Sequence, residues 1–142
     1  MDLKTSLIDL QCEMVAERNL VNPKQITWLQ YDILYQLKKE ERILPSKLSV
    51  ILGISRTKIS KALKGIKVKG YIQQLPNQSD GRELYTSITE EGENLLDDIS
   101  LKHTALHQRA LNVFSKEEQE AFTYLSNKLS RELRMSRLKA DE

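Results

Sequence analysis

Residues 48–63 read LSVILGISRTKISKAL, a segment in which two helical patterns meet at a break at Gly53. The apolar residues before the glycine form a stripe at positions 48, 51 and 52, and those after it form a second stripe at positions 59, 62, 63 and 66. Apolar side chains at this spacing share one face of a helix. Two short helices joined by a glycine-containing turn are typical of a helix-turn-helix, whose second helix can enter the major groove of DNA.

The second of these helices is strongly basic. Residues 55–69 contain six Lys or Arg residues and no acid, although the formal net charge of the whole chain is only +2. An acidic cluster follows at residues 90–98. Positive charge gathered on one segment favours contact with nucleic-acid phosphates. Helical periodicity predicts that four polar side chains point outward, opposite the apolar stripe: Arg56, Thr57, Ser60 and Lys61.

Length and composition predict one globular domain. The chain has 142 residues, of which 39% are apolar and 30% are charged, so it can bury a core. No apolar run approaches the roughly 20 residues that cross a bilayer, which predicts a cytoplasmic protein without a membrane partner. Cys12 is the only cysteine, which excludes an internal disulfide framework.

The helical pattern extends to both sides of the central segment. Apolar spacing predicts a first helix over residues 3–20 and a second from about 23 to 40, and Pro45 suits the first turn of a third. Ser55 is a good N-cap for the fourth helix. Lys58 stands where a capping box would place Glu, and a cation there opposes the helix dipole, which favours an external anion at that end.

Beyond Gly70 the pattern becomes strand-like. Residues 71–75 and 84–89 are β-prone and flank the turn-forming run 76–82, which predicts a hairpin. A hairpin directly after the second helix of a helix-turn-helix is a wing.

The last third is helical again. One apolar stripe over residues 95–113 predicts a long helix, and a capping box from Ser115 to Glu118 begins a final one. The apolar side of this final helix carries Phe122, Leu125, Leu129 and Leu133. Together with the first helix, these helices exceed what a small winged helix needs to cover its core, and such helices usually pack against another subunit.

The wing segment carries a specific motif. It consists of Asp-x-Arg, five variable residues, an aliphatic residue, Thr, two variable residues and Gly, found here as Asp80, Arg82, Ile88, Thr89 and Gly92. By this motif, by residues 55–72 and by the junction at 114–118, the chain resembles the MarR/SlyA family of bacterial winged-helix transcription regulators. The family has Leu at the position of Ile88.

The resemblance implies a mainly α fold with a β wing, in one domain over residues 1–142. Residues 23–100 would form the winged helix-turn-helix lobe, and residues 1–22 and 101–142 would form dimerisation helices. It further implies a homodimer that binds double-stranded DNA at a palindromic operator, with half-sites roughly 34–36 Å apart. The function expected is a repressor that a small molecule or a stress signal releases.

The resemblance also assigns the candidate DNA contacts. On the second helix of the motif these are Ser55, Arg56, Thr57, Ser60, Lys61 and Lys64. Lys64, together with Lys67 and Lys69, is a weaker candidate than the others and would contact phosphate. In the wing, the Asp80 carboxylate would hold the Arg82 guanidinium for insertion into the minor groove, where a narrow A·T-rich groove attracts Arg.

Three further groups leave alternatives open. Cys12 is either a thiol redox sensor or a small buried residue. Trp28, Tyr31 and Tyr35 either line a pocket for a small aromatic effector or pack between helices. The last group consists of His103 and His107, which are one helical turn apart, a spacing that can bind zinc from one face of a helix. The alternative is that His103, which falls on the apolar stripe, is a histidine of the core or of an interface.

Two other functions compete with the regulator. The sequence has no Ser/His/Asp set, phosphate loop or paired carboxylates around a loop, so we expect no enzyme, no cofactor and no metal. A protein-interaction adaptor that keeps the fold without binding DNA is the alternative, and the basic helix argues against it.

Overall fold

The computed structural model of the chain describes residues 1–76 and 82–142. Within these ranges, the chain forms seven helices and a two-stranded antiparallel sheet. The elements are α1 (Leu3–Asn19), α2 (Trp28–Lys39), α3 (Pro45–Leu52), α4 (Arg56–Val68), β1 (Ile72–Pro76), β2 (Leu84–Ile88), α5 (Glu90–Lys102), α6 (Ala105–Val113) and α7 (Lys116–Ala140). This architecture confirms the predicted mainly helical fold with a β wing.

The core lies where α2, α3 and α4 meet. Helix α4 buries Ile59, Ala62, Leu63 and Ile66, which are spaced to share one face. Residues from the other helices, from β1 and from the connecting segments complete the cluster: Ile26, Ile33, Leu34, Leu37, Ile43, Leu48, Ile51, Ile72, Leu96 and Ile99. Burial of this apolar area fixes the face that α4 turns inward, and therefore also the face that it exposes.

The helix-turn-helix follows the sequence closely. Pro45 occupies the first turn of α3, where its missing N–H costs nothing. Gly53 ends α3 with a φ of 64°, a left-handed conformation that favours glycine. The Ser55 side chain caps α4 by accepting a hydrogen bond from the Lys58 amide at 3.2 Å. These three predictions are confirmed.

Helix α2 begins later than predicted, at Trp28 rather than at about residue 23. Thr27 and Gln30 form a capping box, in which the Gln30 amide donates to Thr27 Oγ1 and the Thr27 amide donates to Gln30 Oε1. Gln25 has a φ of 80°, so the chain before the cap cannot continue the helix. The apolar spacing extends beyond the helix because Ile26, in the loop before α2, is also buried.

The hairpin matches its prediction. Strands β1 and β2 pair in a register that runs from Ile72 opposite Ile88 to Pro76 opposite Leu84. Thr86 in β2 also bridges to Ile43, and each amide donates to the other's carbonyl at 2.9 Å. Through this bridge the wing is attached to the segment that leads into α3.

The predicted long helix over residues 95–113 is two helices, α5 and α6. The break lies at His103, which leaves helical geometry with φ −118° and ψ 60°. Its ring packs against the Trp28 ring with centroids 5.8 Å apart. The apolar stripe continues across the break, so periodicity alone does not reveal it.

Helices α1, α6 and α7 bury no residue within the part of the chain that the structure describes. Their apolar side chains are exposed, among them Leu7, Ile8, Leu106, Leu125, Leu129 and Leu133. Within the same residues, no helix combines the length and the hydropathy needed to cross a membrane.

Candidate nucleic-acid interface

The face of α4 opposite the core is polar and basic. Arg56, Thr57, Ser60, Lys61 and Lys64 are all exposed, whereas the apolar residues between them are buried. No acidic residue occurs in this helix, so the exposed face has a uniform sign of charge. A rigid rod with such a face is suited to the phosphates and base edges of a duplex. Contact of these residues with DNA stays a prediction.

The basic residues at the end of α4 differ from one another. Lys64 makes no hydrogen bond or ion pair with the described residues, whereas Lys67 Nζ donates to Gln74 Oε1 at 3.1 Å. Lys69 Nζ donates to the carbonyl of Gln25. Lys67 and Lys69 therefore hold α4 to its neighbours, which leaves Lys64 the better placed of the three for a phosphate.

The N-terminus of α4 combines a helix dipole with side-chain cations. Apart from the amide that Ser55 caps, the first-turn amides have no side-chain acceptor among the described residues, and Arg56 and Lys58 stand beside them. No acid occupies this turn. Both the partial charge of the helix end and these cations attract an anion such as a phosphate.

Glu83 is a site residue that the sequence analysis did not identify. Its carboxylate accepts hydrogen bonds from the Ser46 amide and from Ser46 Oγ, each at 3.0 Å. The same carboxylate pairs with Arg56, with Nη2 and Oε1 3.0 Å apart, and only 17% of the Glu83 side chain is exposed. Glu83 occupies a variable position of the wing motif, and its one signal in the sequence is an acid beside Arg82.

The wing is only partly described. Arg82 is exposed immediately before β2. Asp80 lies outside the described residues, so its pairing with Arg82 stays a prediction. Arg42 adds a further cation beside the hairpin, with its guanidinium 4.6 Å from the centre of the Tyr85 ring.

Two residues of the wing motif join the hairpin to α5. Thr89 caps α5 by accepting from the Gly92 amide at 3.1 Å, and its hydroxyl donates to the Gly70 carbonyl at 2.7 Å. A Cβ on Gly92 would collide with the carbonyl oxygen of Tyr71. The motif thus needs Thr for the cap and Gly for the close approach of two backbones.

The acidic cluster belongs to α5. Its first turn holds Glu90, Glu91 and Glu93, where negative charge is favourable to the helix dipole. Further along, Lys38 Nζ donates to Asp97 at 2.8 Å, and this hydrogen bond raises the pKa of Lys38. These acids therefore serve the helix end and the contact with α2, on a helix other than the basic α4.

The three aromatic candidates do not form one group. Trp28 and Tyr31 pack edge to face with centroids 5.3 Å apart, and Trp28 Nε1 donates to the Val21 carbonyl at 2.7 Å. Tyr31 Oη lies 3.2 Å from Ser100 Oγ. Tyr35 is 45% exposed and carries Lys39 over its ring. Packing between helices accounts for the contacts of Trp28 and Tyr31, and an effector role stays a prediction.

The structure corrects the interpretation of Cys12. Cys12 is exposed, so the description of it as a small buried residue is wrong for this chain alone, because α1 has nothing packed over that face. Its redox role stays untested.

His103 ends α5 and His107 lies within α6, so they are not one turn apart on a continuous helix, and the zinc interpretation loses its geometric basis.

Comparison with known proteins points to one family. A model described as "MarR family" matches residues 24–83. The transcriptional repressor MprA of Escherichia coli (strain K12) is 29% identical over 120 residues, which cover 80% of this chain and 68% of MprA. The multiple antibiotic resistance protein MarR of Salmonella typhimurium is 25% identical over 112 residues, which cover 78% of each chain.

Solved structures share the fold. Wild-type MarR from E. coli without ligand superposes with a TM-score of 0.73 at 21% identity, covering 91% of this chain and 96% of MarR. A cysteine-to-serine mutant of MarR in complex with operator DNA gives 0.65 at 23% identity, covering 91% and 99%. Bordetella bronchiseptica BpsR, whose DNA binding is regulated by 6-hydroxynicotinic acid, gives 0.71 at 16% identity, covering 90% and 98%.

Proposed function

We propose that this chain, which matches the MarR family model over residues 24–83, is a homodimeric transcriptional repressor of that family that binds operator DNA. The observation that carries the proposal is the two-sided character of α4. One face is buried in the core and the other is basic, exposed and free of acids. Its curated relatives MprA and MarR are named as a repressor and a resistance protein, and a MarR mutant has been seen on operator DNA.

The proposed contacts use the exposed face of α4 and the wing. In the major groove, α4 offers Ser55, Arg56, Thr57, Ser60, Lys61 and Lys64 to base edges and phosphates. Arg82 of the wing reaches the adjacent minor groove, with Asp80 orienting it. Binding at a promoter then blocks access of the transcription machinery, which is how such a protein represses. The proposed location of this DNA binding is the cytoplasm.

The homodimer is supported by the apolar faces that the chain leaves uncovered. Helix α7 exposes Phe122, Leu125, Leu129 and Leu133 at helical spacing, and α1 exposes a similar set. A monomer would hold this apolar area in water, which is unfavourable by about 25 cal/mol for each Å². Residues 1–22 and 101–142 of two subunits would bury it and place two α4 helices on one duplex.

Release from DNA needs a signal that favours one arrangement of the dimer over another. Trp28, Tyr31 and Tyr35 on α2 are candidates to contact a small aromatic acid, and Cys12 on α1 is the candidate for an oxidant. Of the aromatic residues, Trp28 supports this best because its ring packs against His103 at the break between α5 and α6.

The adaptor alternative is the less favoured function. A fold that no longer bound DNA would have no need of an acid-free basic face on α4. MprA is named as a transcriptional repressor, which is the function that the adaptor alternative lacks. DNA binding is therefore the function to test first.

Fluorescence anisotropy with duplex DNA from the region upstream of the chain's own gene tests the proposal. We expect the affinity to fall by about 10³-fold or more between about 50 and 200 mM salt, because phosphate contacts release counterions. A scrambled duplex of the same length should bind more weakly. An affinity that does not change with salt, or equal binding of both duplexes, would contradict the proposal.

A further inference from the structure

Glu83 joins three parts of the proposed DNA interface. It lies between the described wing residue Arg82 and the start of β2, yet its carboxylate binds both polar groups of Ser46 in α3 and the guanidinium of Arg56 in α4. Two donors from Ser46 fix the carboxylate in position, and 17% exposure limits its access to water. The wing and α4 are thereby connected through one side chain.

The ion pair leaves part of the Arg56 guanidinium available. Arg56 Nη2 lies 3.0 Å from Glu83 Oε1, and Glu83 is the one ion-pair partner of Arg56 among the described residues. Arg56 is the first residue of α4, and 55% of its side chain is exposed. A guanidinium has five N–H groups in a rigid plane, so a carboxylate at one edge sets the direction of the others.

A fixed guanidinium plane is useful for one kind of contact. A bidentate contact needs the guanidinium plane to match its target, and Arg makes such contacts with phosphates and with guanine, which presents O6 and N7 in one plane of the major groove. Arg56 is the first residue of α4, and the N-terminal residues of the second helix of a helix-turn-helix are those that contact base edges, which favours guanine. Orienting Arg56 before binding removes part of the entropy lost on contact. The carboxylate stays compensated by Ser46 and Arg56, which offsets the repulsion that an acid near DNA would otherwise cause.

From these contacts we propose that Glu83 positions Arg56 to read one guanine in each operator half-site. Glu83 is a positioning residue, because it acts through Arg56 and does not itself touch the base. The inference rests on the proposed function, since it needs α4 in the major groove. It adds a specificity role for an acid at a variable position of the wing motif.

The test measures base preference rather than affinity alone. The wild type, Arg56→Ala, Glu83→Ala and Glu83→Gln would be titrated against operator duplexes in which each base pair is replaced in turn. For the wild type, replacing one G·C pair in each half-site should weaken binding by about 5- to 100-fold. Arg56→Ala and Glu83→Ala should both reduce that factor to below about threefold. A double variant that combines these two changes should lose no more of the base preference than Arg56→Ala alone.

Glu83→Gln separates orientation from folding. Glutamine keeps an acceptor for the Ser46 amide but lacks the charge that holds Arg56, so the wing stays in place while preference at that base pair falls. Thermal melting checks that each variant is folded. Glu41→Gln is the control, because Glu41 is an exposed acid without an ion pair to the described residues, and it should keep the wild-type preference.

Three results would overturn the inference. If Glu83→Ala and Glu83→Gln weaken binding equally on every duplex and keep the base preference, Glu83 only holds the wing. If they strengthen binding on every duplex with a steeper salt dependence, Glu83 competes with DNA for Arg56. If the wild type shows no salt-dependent binding to any duplex, the proposed function fails first and the inference fails with it.

Discussion

Arg137, near the end of α7, donates a hydrogen bond of 3.0 Å from Nη2 to the carbonyl of Ile51 in the last turn of α3. One turn earlier, Arg134 donates to Gln36 at 2.7 Å and to Glu40 at 2.6 Å. Carbonyls in the last turn of a helix lack partners within that helix, so Arg137 satisfies one of them. The proposed dimerisation helix is thus attached directly to the helix-turn-helix.

Arg137→Ala should weaken DNA binding by several-fold while the oligomeric state stays unchanged. The loss of one hydrogen bond should also lower the free energy of unfolding by about 1 kcal/mol. Urea denaturation and anisotropy would measure the two effects. Arg131→Ala is the matched control, because Arg131 lies on the same helix and makes no hydrogen bond or ion pair with the described residues. If both variants bind DNA like the wild type, the contact does not help to hold α3.

Gly92→Ala should lower the free energy of unfolding by about 1–3 kcal/mol, because the added methyl group would collide with the Tyr71 carbonyl and force two backbones apart. Chemical denaturation measures the loss. Asn94→Ala, at an exposed position of the same helix, should be neutral or slightly stabilising. An unchanged stability for Gly92→Ala would mean that α5 can move away from β1 at little cost.

Local patterns predicted those parts of the fold that local chemistry determines. Pro45 and Gly53 define the two ends of α3 and Ser55 defines the start of α4, and each acts within one turn of its own position. The start of α2 is not predictable in this way, because the buried Ile26 continues the apolar spacing into the preceding loop. Gln25, with its positive φ, keeps that loop from being helical.

Contacts between distant residues were not predictable in the same way. The break at His103 is accompanied by packing against Trp28, and the role of Glu83 depends on Ser46 and Arg56, which are 37 and 27 positions away in the sequence. Nothing in the residues next to Glu83 distinguishes it from an exposed acid. The basic face of α4 was predictable because periodicity alone separates it from the core.

Arg82→Ala should weaken binding mainly to operators with A·T-rich flanks, by about tenfold, because a narrow minor groove concentrates negative potential. The measurement compares duplexes with A·T and G·C flanks around the same centre. Lys24→Ala removes the same charge from an exposed position elsewhere and should weaken binding to both duplexes by the same factor. Equal losses on the two duplexes for Arg82→Ala would place Arg82 outside the minor groove.

Leu125→Glu should convert the dimer to a monomer, because a charge would be placed in the proposed apolar interface, where it lacks a partner. Sedimentation velocity would show the change in mass. Val68→Glu adds the same charge at an exposed apolar residue of α4 and should leave the dimer intact. A wild type that sediments as a monomer would contradict the proposed assembly before any variant is made.

The most direct measurement is hydroxyl-radical footprinting of the protein on the DNA upstream of its own gene. Two basic α4 helices in a twofold dimer should protect two segments of related, inverted sequence, centred about 10 base pairs or a multiple of one turn apart. Protection should disappear with Arg56→Ala and Lys61→Ala combined. A protein that is folded and dimeric but protects no segment, or whose protection survives this double change, would contradict the account.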